Sequence, residues 1–179
     1  MTRVVRKAQA VNSLSCAFTG HRLQKLGFGF DEDAESFVKL RNYLHSELMF
    51  LIGHNYTHFL SGGAQGFDLI AAEEVLKLRS QLTFVTLELV KPCQNQDAHW
   101  PHALRSRYEA VEAAADAVTL ISDAYSESCL FERNRFLVDS ADMLLALYNG
   151  TPGGTKMTVE YARKNGRRTE LIDPAIFTV

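Results

Sequence analysis

Three groups of residues in this sequence have the chemistry to hold an anion. The first is Thr19-Gly20-His21-Arg22, where a histidine and an arginine directly follow the short apolar run Leu14 to Phe18 and offer donors to phosphate or carboxylate. The second is Ser61-Gly62-Gly63-Ala64-Gln65-Gly66, with Asp68 two residues on. Small residues there let a ligand approach backbone N–H groups, and the N-terminus of a following helix favours negative charge. The run is neither a dinucleotide fingerprint nor a Walker loop, and no Lys-Ser or Lys-Thr closes it, which argues against ATP hydrolysis of the P-loop type. Glycines of this kind also serve simply to make a tight turn. Asp68 has two readings as well. It complements a helix dipole, for about 0.3–1 kcal/mol, or it accepts a hydrogen bond from a ribose hydroxyl or fixes the loop. The third group is Arg133 and Asn134, taken with Gly153, Gly154, Thr155 and Glu160. Here the arginine supplies a cation for phosphate and the glycines bare backbone. Glu160 reads on its own as a solvated helix residue paired with Arg163 or Lys164.

Weaker constellations point elsewhere. His54 and His58 straddle a predicted helix end and strand start, and no glutamate-containing zinc motif accompanies them, so no metal is expected. Cys93 with His99 lacks a third orienting group, and a structural cysteine is the better reading. Trp100 either stacks on a base or anchors its loop in the core.

The elements that must position these residues follow from periodicity. Short apolar runs at Leu14–Phe18, Thr57–Leu60, Thr83–Val90, Ala117–Ile121, Met143–Tyr148 and Arg168–Ile172 alternate with segments of helical period. In the first helix Phe37, Leu40, Leu44, Leu48 and Leu51 recur three or four apart, with Asp31 or Asp33 as a cap and Gly53 as a stop, after a loop holding Gly27 and Gly29. Leu69, Ala72, Val75 and Leu76 mark a second helix. Leu104, Tyr108, Val111 and Ala115, opened by Pro101, mark a third. Leu130–Ala141 and a segment through Tyr161 and Ala162, ended by Gly166, mark two more. This alternation predicts an α/β fold: a single Rossmann-like three-layer domain with a mostly parallel sheet of about six strands, and the glycine-rich turns at its carboxyl edge.

Composition limits what such a domain binds. The chain has 179 residues, enough for one core but not two. Its 19 basic and 21 acidic residues give a net charge of -2, so there is no whole-protein attraction to nucleic acid or an anionic membrane, and any phosphate must be held locally. No apolar run approaches a membrane span. Three widely spaced cysteines, an odd number, suggest a reducing cytoplasm over a disulfide framework. The first thirteen residues carry Arg3, Arg6 and Lys7 without the apolar centre of a signal peptide, and are expected to form a flexible extension (1–13) ahead of the Rossmann-like domain (14–179).

Taken in order, Cys16-Ala17-Phe18-Thr19-Gly20-His21-Arg22, Ser61-Gly62-Gly63-Ala64-Gln65-Gly66-Phe67-Asp68, the stretch from Gln94 and Gln96 to Trp100, Arg133-Asn134-Arg135 with Asp139, and Gly153-Gly154-Thr155 before Tyr161-Ala162 resemble the YpsA-like branch of the SLOG superfamily. The match runs from about Leu14 to Ile172. That superfamily also holds the DprA/Smf DNA-processing proteins and the LOG phosphoribohydrolases, which release a base from a nucleoside 5′-monophosphate. The resemblance implies a Rossmann-like fold with a site for a nucleotide-derived ligand lined by Thr19, Gly20, His21, Arg22, Ser61, Gly62, Gly63, Gly66, Asp68, Asn134, Gly153, Gly154 and Thr155. No cofactor follows from it. Carried onto the LOG motif, Arg133 and Glu160 would be the catalytic pair, but Lys156-Met157 stands where that motif has Gly-Thr. The expected function is therefore binding or sensing of a nucleotide-derived ligand. An N-glycosidase on a nucleoside monophosphate is the second reading and a DprA-like DNA-binding module, disfavoured by charge, the third. A homodimer is expected because relatives of this superfamily often pair through helices.

Overall fold

The computed structural model describes residues 13–22, 25, 31 and 33–178. Residues 1–12 of the N-terminal extension and the loop glycines Gly27 and Gly29 lie outside the described residues. Six strands alternate with five α-helices: β1 (Leu14–Gly20), α1 (Glu35–Gly53), β2 (Tyr56–Ser61), α2 (Phe67–Arg79), β3 (Thr86–Lys91), α3 (His102–Ala114), β4 (Ala117–Leu120), α4 (Cys129–Asp139), β5 (Met143–Leu147), α5 (Gly154–Lys164) and β6 (Arg168–Ile172), with a 3-10 turn at Pro174–Phe177. The strands form one sheet in the order β4-β3-β2-β1-β5-β6, and every neighbouring pair is parallel.

Strand side chains alternate between two faces, and each face meets its own helix layer. Phe18, Phe59, Leu87, Leu89, Leu145 and Leu147 join Phe37, Leu40, Leu44, Leu48 and Leu51 of α1, with residues of α2 and α3, in one core. Ala17, Leu60, Val90, Leu144 and Ala146 meet Leu137 and Val138 of α4 and Val159 and Ala162 of α5 in the other. Each fully buried leucine or phenylalanine contributes about 1.5–3 kcal/mol of transfer free energy. Such central strands must be apolar on both faces, and β5 is buried at all five residues.

The chain winds outward from β1 to β4, returns through α4 and resumes at β5 on the other side of β1. Right-handed crossovers therefore place α4 and α5 on the face opposite α1, α2 and α3, and the direction of winding reverses between β1 and β5. At such a reversal the loops leave the sheet in opposite directions and open a crevice at the carboxyl edge.

Three local details differ from the periodicity. Helix α1 is capped by Ala34 without a side-chain bond. It also runs through Gly53, and the chain turns instead at Asn55, whose φ of 74° is left-handed. Strand β3 begins at Thr86 rather than Thr83, because Val85 N–H closes a turn onto Leu82 C=O at 2.9 Å.

Candidate ligand-binding site at the carboxyl edge

The loop after β1 is fastened on both sides. His21 N–H donates to Leu147 C=O (3.1 Å) and His21 C=O accepts from Phe67 N–H (3.3 Å), tying the end of β5 to the start of α2. A Cβ on Gly20 would lie 2.4 Å from Phe67 Cβ, so only glycine lets α2 start this close to β1. The His21 ring is buried and its Nε2 lies 2.7 Å from Asn149 Oδ1. That oxygen also accepts from Thr151 N–H and hydroxyl, and the Asn149 N–H donates to the same Nε2 at 3.2 Å, so the ring is clasped by both the side chain and the main chain of Asn149. Burial, reinforced by Lys25 and opposed by this hydrogen bond, holds His21 below the usual imidazole range. His21 is thus a neutral strut that leaves Nδ1 as its remaining ring nitrogen. Thr19 is buried beside it and Arg22 is exposed.

The strap after β2 is shaped by Ser61. Its hydroxyl donates to Asp68 C=O (2.7 Å) and accepts from Gly63 N–H (3.0 Å), so the side chain staples the turn. Gly63 has a φ of 60° and no room for a side chain, since a Cβ there would lie 2.8 Å from both Leu89 and the Tyr108 ring. Gly66, at φ 122°, opens α2.

Two opposite charges are buried beneath this strap. Asp68 and Arg133 are each 5% exposed, and Arg133 Nη1 stands 3.9 Å from Asp68 Oδ2, an ion pair too long for a hydrogen bond. Burial raises the Asp68 carboxyl from 3.8 to about 6, against the pull of Arg133, the Gly20 N–H and Arg22. Burial likewise lowers the Arg133 guanidinium, with Asp68 opposing. Arg133 Nε and Nη1 and the Tyr108 hydroxyl are buried without hydrogen-bond partners, which is costly for groups of this kind. Gln96, whose side-chain N–H reaches Gly62 C=O at 3.3 Å, is the polar neighbour of that hydroxyl.

The third loop leads into α5. Gly153, at φ 145°, precedes the first helical residue Gly154, and Lys25 Nζ lies 3.6 Å from where a Gly153 Cβ would sit. Thr155 is half-buried in the first turn, while Thr158 spends its hydroxyl on Gly154 C=O (2.9 Å). Lys25 thus lies near both Gly153 and His21, while the Gly20 N–H and Arg133 both act on Asp68.

Two expected members stand away from these loops. Asn134, one residue round the helix from Arg133, faces α5 in a narrow crevice with Phe131, Arg135, Met157, Thr158 and Tyr161. Glu160 is exposed on α5, and Lys156 Nζ approaches it to 3.7 Å, rather than Arg163 or Lys164. The two groups a glycosidase would need therefore stand in unlike surroundings, one buried and one in solvent. Among the described residues no cluster of three potential metal ligands occurs. His58 is instead bonded to Thr86 and Glu88, and His54 to Phe50 C=O. Cys93 is buried with Cys129 as its neighbour, and burial raises its thiol. Trp100 anchors its loop, packing edge-on against Tyr108 at 5.3 Å between centroids.

The sequence reading missed Tyr108, Lys25 and Asn149. Tyr108 lies on the apolar stripe of α3, where periodicity marks it only as core. Asn149 directly follows an apolar strand, a position where an Asx turn is a recognisable signal.

The fold and this edge define a Rossmann-like protein with glycine-bearing loops at the switch point of its sheet. The chain belongs to the YspA SLOG family (YpsA), whose model matches residues 16–175. It is 30% identical over 149 residues to a UPF0398 protein of Halalkalibacterium halodurans, covering 82% of this chain and 78% of that one. It is 27% identical over 141 residues to UPF0398 protein YpsA of Bacillus subtilis, covering 78% of each. Among solved structures, DNA processing protein A of Helicobacter pylori, described for its binding of single-stranded DNA, shares the fold with a TM-score of 0.62 at 17% identity, over 90% of this chain and 66% of that one. DprA of Streptococcus pneumoniae does so with a TM-score of 0.58, over 90% of this chain and 50% of that one. Among the described residues no helix is long and apolar enough to cross a membrane.

Proposed function

We propose that this protein binds or senses a small nucleotide-derived anion at the carboxyl edge of its sheet, in the cytoplasm and as a homodimer. The observation that carries this reading is the buried Arg133, whose Nε and Nη1 have no hydrogen-bond partner among the described residues and whose ion pair with Asp68 is a long one. A buried cation with unused donors is stabilised by an incoming anion that completes them. The N-termini of α2 and α5 open on the same edge and add the attraction of their helix dipoles. A thermal-shift panel of nucleotides, ADP-ribose, NAD and cyclic dinucleotides tests it, since a ligand at about 100 times its dissociation constant adds about 2.7 kcal/mol. A panel in which no compound moves the melting temperature overturns it. Light scattering that finds a monomer at micromolar concentration removes the dimer.

Nucleotide N-glycosidase activity has weaker support, because Glu160 is solvated and the glycine-threonine pair of the motif is absent. Release of free base from a nucleoside monophosphate would restore it. DNA binding has the fold likeness in its favour and the net charge of -2 against it.

A further inference from the structure

We propose that the outer edge of β6 is an interface with a second copy of this chain, the two strands pairing antiparallel across a two-fold axis through Thr169 so that each Arg168 faces the partner's Glu170. This rests on the homodimer reading above and gives it a surface and a register. Ligand binding at the carboxyl edge is independent of it.

Strand β6 ends the sheet, and among the described residues no strand pairs with its outer side. Tyr148 N–H donates to Ile172 C=O (2.9 Å), so the main-chain groups of Ile172, Glu170 and Arg168 face β5 and those of Thr169 and Leu171 point outwards. Such a row of free N–H and C=O groups is a template for another strand unless a proline or a bulge interrupts it. Arg168-Thr169-Glu170-Leu171-Ile172 contains no proline and keeps an unbroken register with β5.

Charge selects the register. Arg168 and Glu170 are exposed and, two residues apart, share one face of the strand. An axis through Arg168 or Glu170 sets like charges opposite each other, and one through Leu171 sets Glu170 against the apolar Ile172. An axis through Thr169 sets Arg168 against the partner's Glu170 on both sides of the two-fold, and opposite charges so placed stabilise a strand pair while like charges destabilise it. Thr169, whose groups already point outwards, then exchanges both N–H···O bonds with its own copy. The pairing also answers a local repulsion. Burial, and then the charge of Glu170, raises the carboxyl of Glu47 on α1, with Arg168 opposing, and the partner's Arg168 would arrive beside these two carboxylates. Apolar side chains flank the edge as well. Leu171 is 38% exposed on the opposite face of β6 and Tyr43 of α1 is 40% exposed, while Ile176, 57% exposed, sits in the turn that packs on α1 through Phe177 and Tyr43 (5.5 Å between centroids). The other end strand, β4, is Ala117-Val118-Thr119-Leu120, which has no charge to fix a register.

The test is the mass in solution, by light scattering over a dilution series of the full chain, for the wild type, Arg168→Glu, Glu170→Arg, the double variant carrying both, and Val118→Lys on β4. Wild type, double variant and Val118→Lys are expected to be dimers of like affinity. Each single reversal opposes like charges twice and should raise the dimer dissociation constant at least about tenfold. An equimolar mixture of the two single variants should recover wild-type affinity, because each then meets its opposite, a recovery that misfolded chains could not show. Single variants that dimerise as the wild type does, or a mixture and a double variant that both stay monomeric, overturn the β6 assignment and leave the homodimer standing. Loss of the dimer in Val118→Lys alone moves the interface to β4 and overturns it too. A monomeric wild type removes the assignment and the homodimer together.

Discussion

The guanidinium of Arg133 lies against the α-carbon of Gly62, so that the smallest possible side chain at position 62 would overlap Nη1 at 1.5 Å. Gly62 has no left-handed φ, and alanine is compatible with its backbone. Gly62→Ala should therefore fold but displace the guanidinium, and both it and Arg133→Ala should weaken binding of an anionic nucleotide by about tenfold to a hundredfold. Calorimetric titration of both variants checks this. Wild-type affinity in either one removes Arg133 from the site.

Asp68 gives a pH dependence of definite sign. Its carboxyl is raised in the folded protein from 3.8 to about 6, so the folded state holds its proton over a range where the unfolded chain has lost it. The stabilising difference is complete below about pH 4 and is lost as pH rises through about 6, a change on the order of 3 kcal/mol. Asp68→Asn, which keeps the shape without the charge, should melt higher than wild type at about pH 8 and converge with it at about pH 4. Denaturation midpoints at the two pH values decide the matter, and a variant less stable at the higher pH refutes the assignment of burial as the dominant cause.

His21 titrates in the opposite sense. Its folded value is held below 6.5, chiefly by burial, so the neutral ring is favoured and stability present above 6.5 is lost as pH falls towards the folded value. The ring proton resonances of His21 should move at lower pH than those of a free imidazole, and His21→Ala should loosen the loop from Asn149 to Thr151. Proton exchange at the Asn149 and Thr151 amides reports this directly.

Glu160 offers the complementary case. Its ion pair with Lys156 is exposed and lies one helical turn apart, a geometry worth a few tenths of a kcal/mol. Glu160→Gln should leave both melting temperature and nucleotide affinity within error of wild type. A large loss of affinity would bring this carboxylate into the site.

Periodicity located all six strands and five helices because strands buried on both faces are apolar without interruption, and helix stripes such as Phe37, Leu40, Leu44, Leu48 and Leu51 leave a clear spacing. Their ends were less legible. Ser61 reads as a ligand residue in sequence, yet its hydroxyl is consumed by Asp68 C=O and Gly63 N–H, bonds that exist only once the turn is folded. Asp31 reads as a helix cap, yet its carboxylate accepts from Asp33 N–H and the helix begins later. Tyr108 could not be separated from core by spacing, since the unpaired state of its hydroxyl depends on what α4 and the β3 loop bring near it. Side chains whose role is set by non-local partners leave no local pattern.

The placing of β1 between β2 and β5 also bears on how the protein is made. A chain emerging from the ribosome can assemble β1 to β4 in the order of synthesis, each strand docking beside the last. Until Met143–Leu147 has been translated, however, β1 presents one whole edge of unpaired N–H and C=O groups. The same interval leaves Ala17 and Leu60 uncovered, because the α4 and α5 side chains that pack with them come late or last. Slow decoding or truncation between Leu120 and Met143 thus yields a half-sheet with a sticky interior edge, a species prone to pair with its own kind. Translation arrested within that interval should populate chaperone-bound or aggregated nascent chains, and release past β5 should clear them.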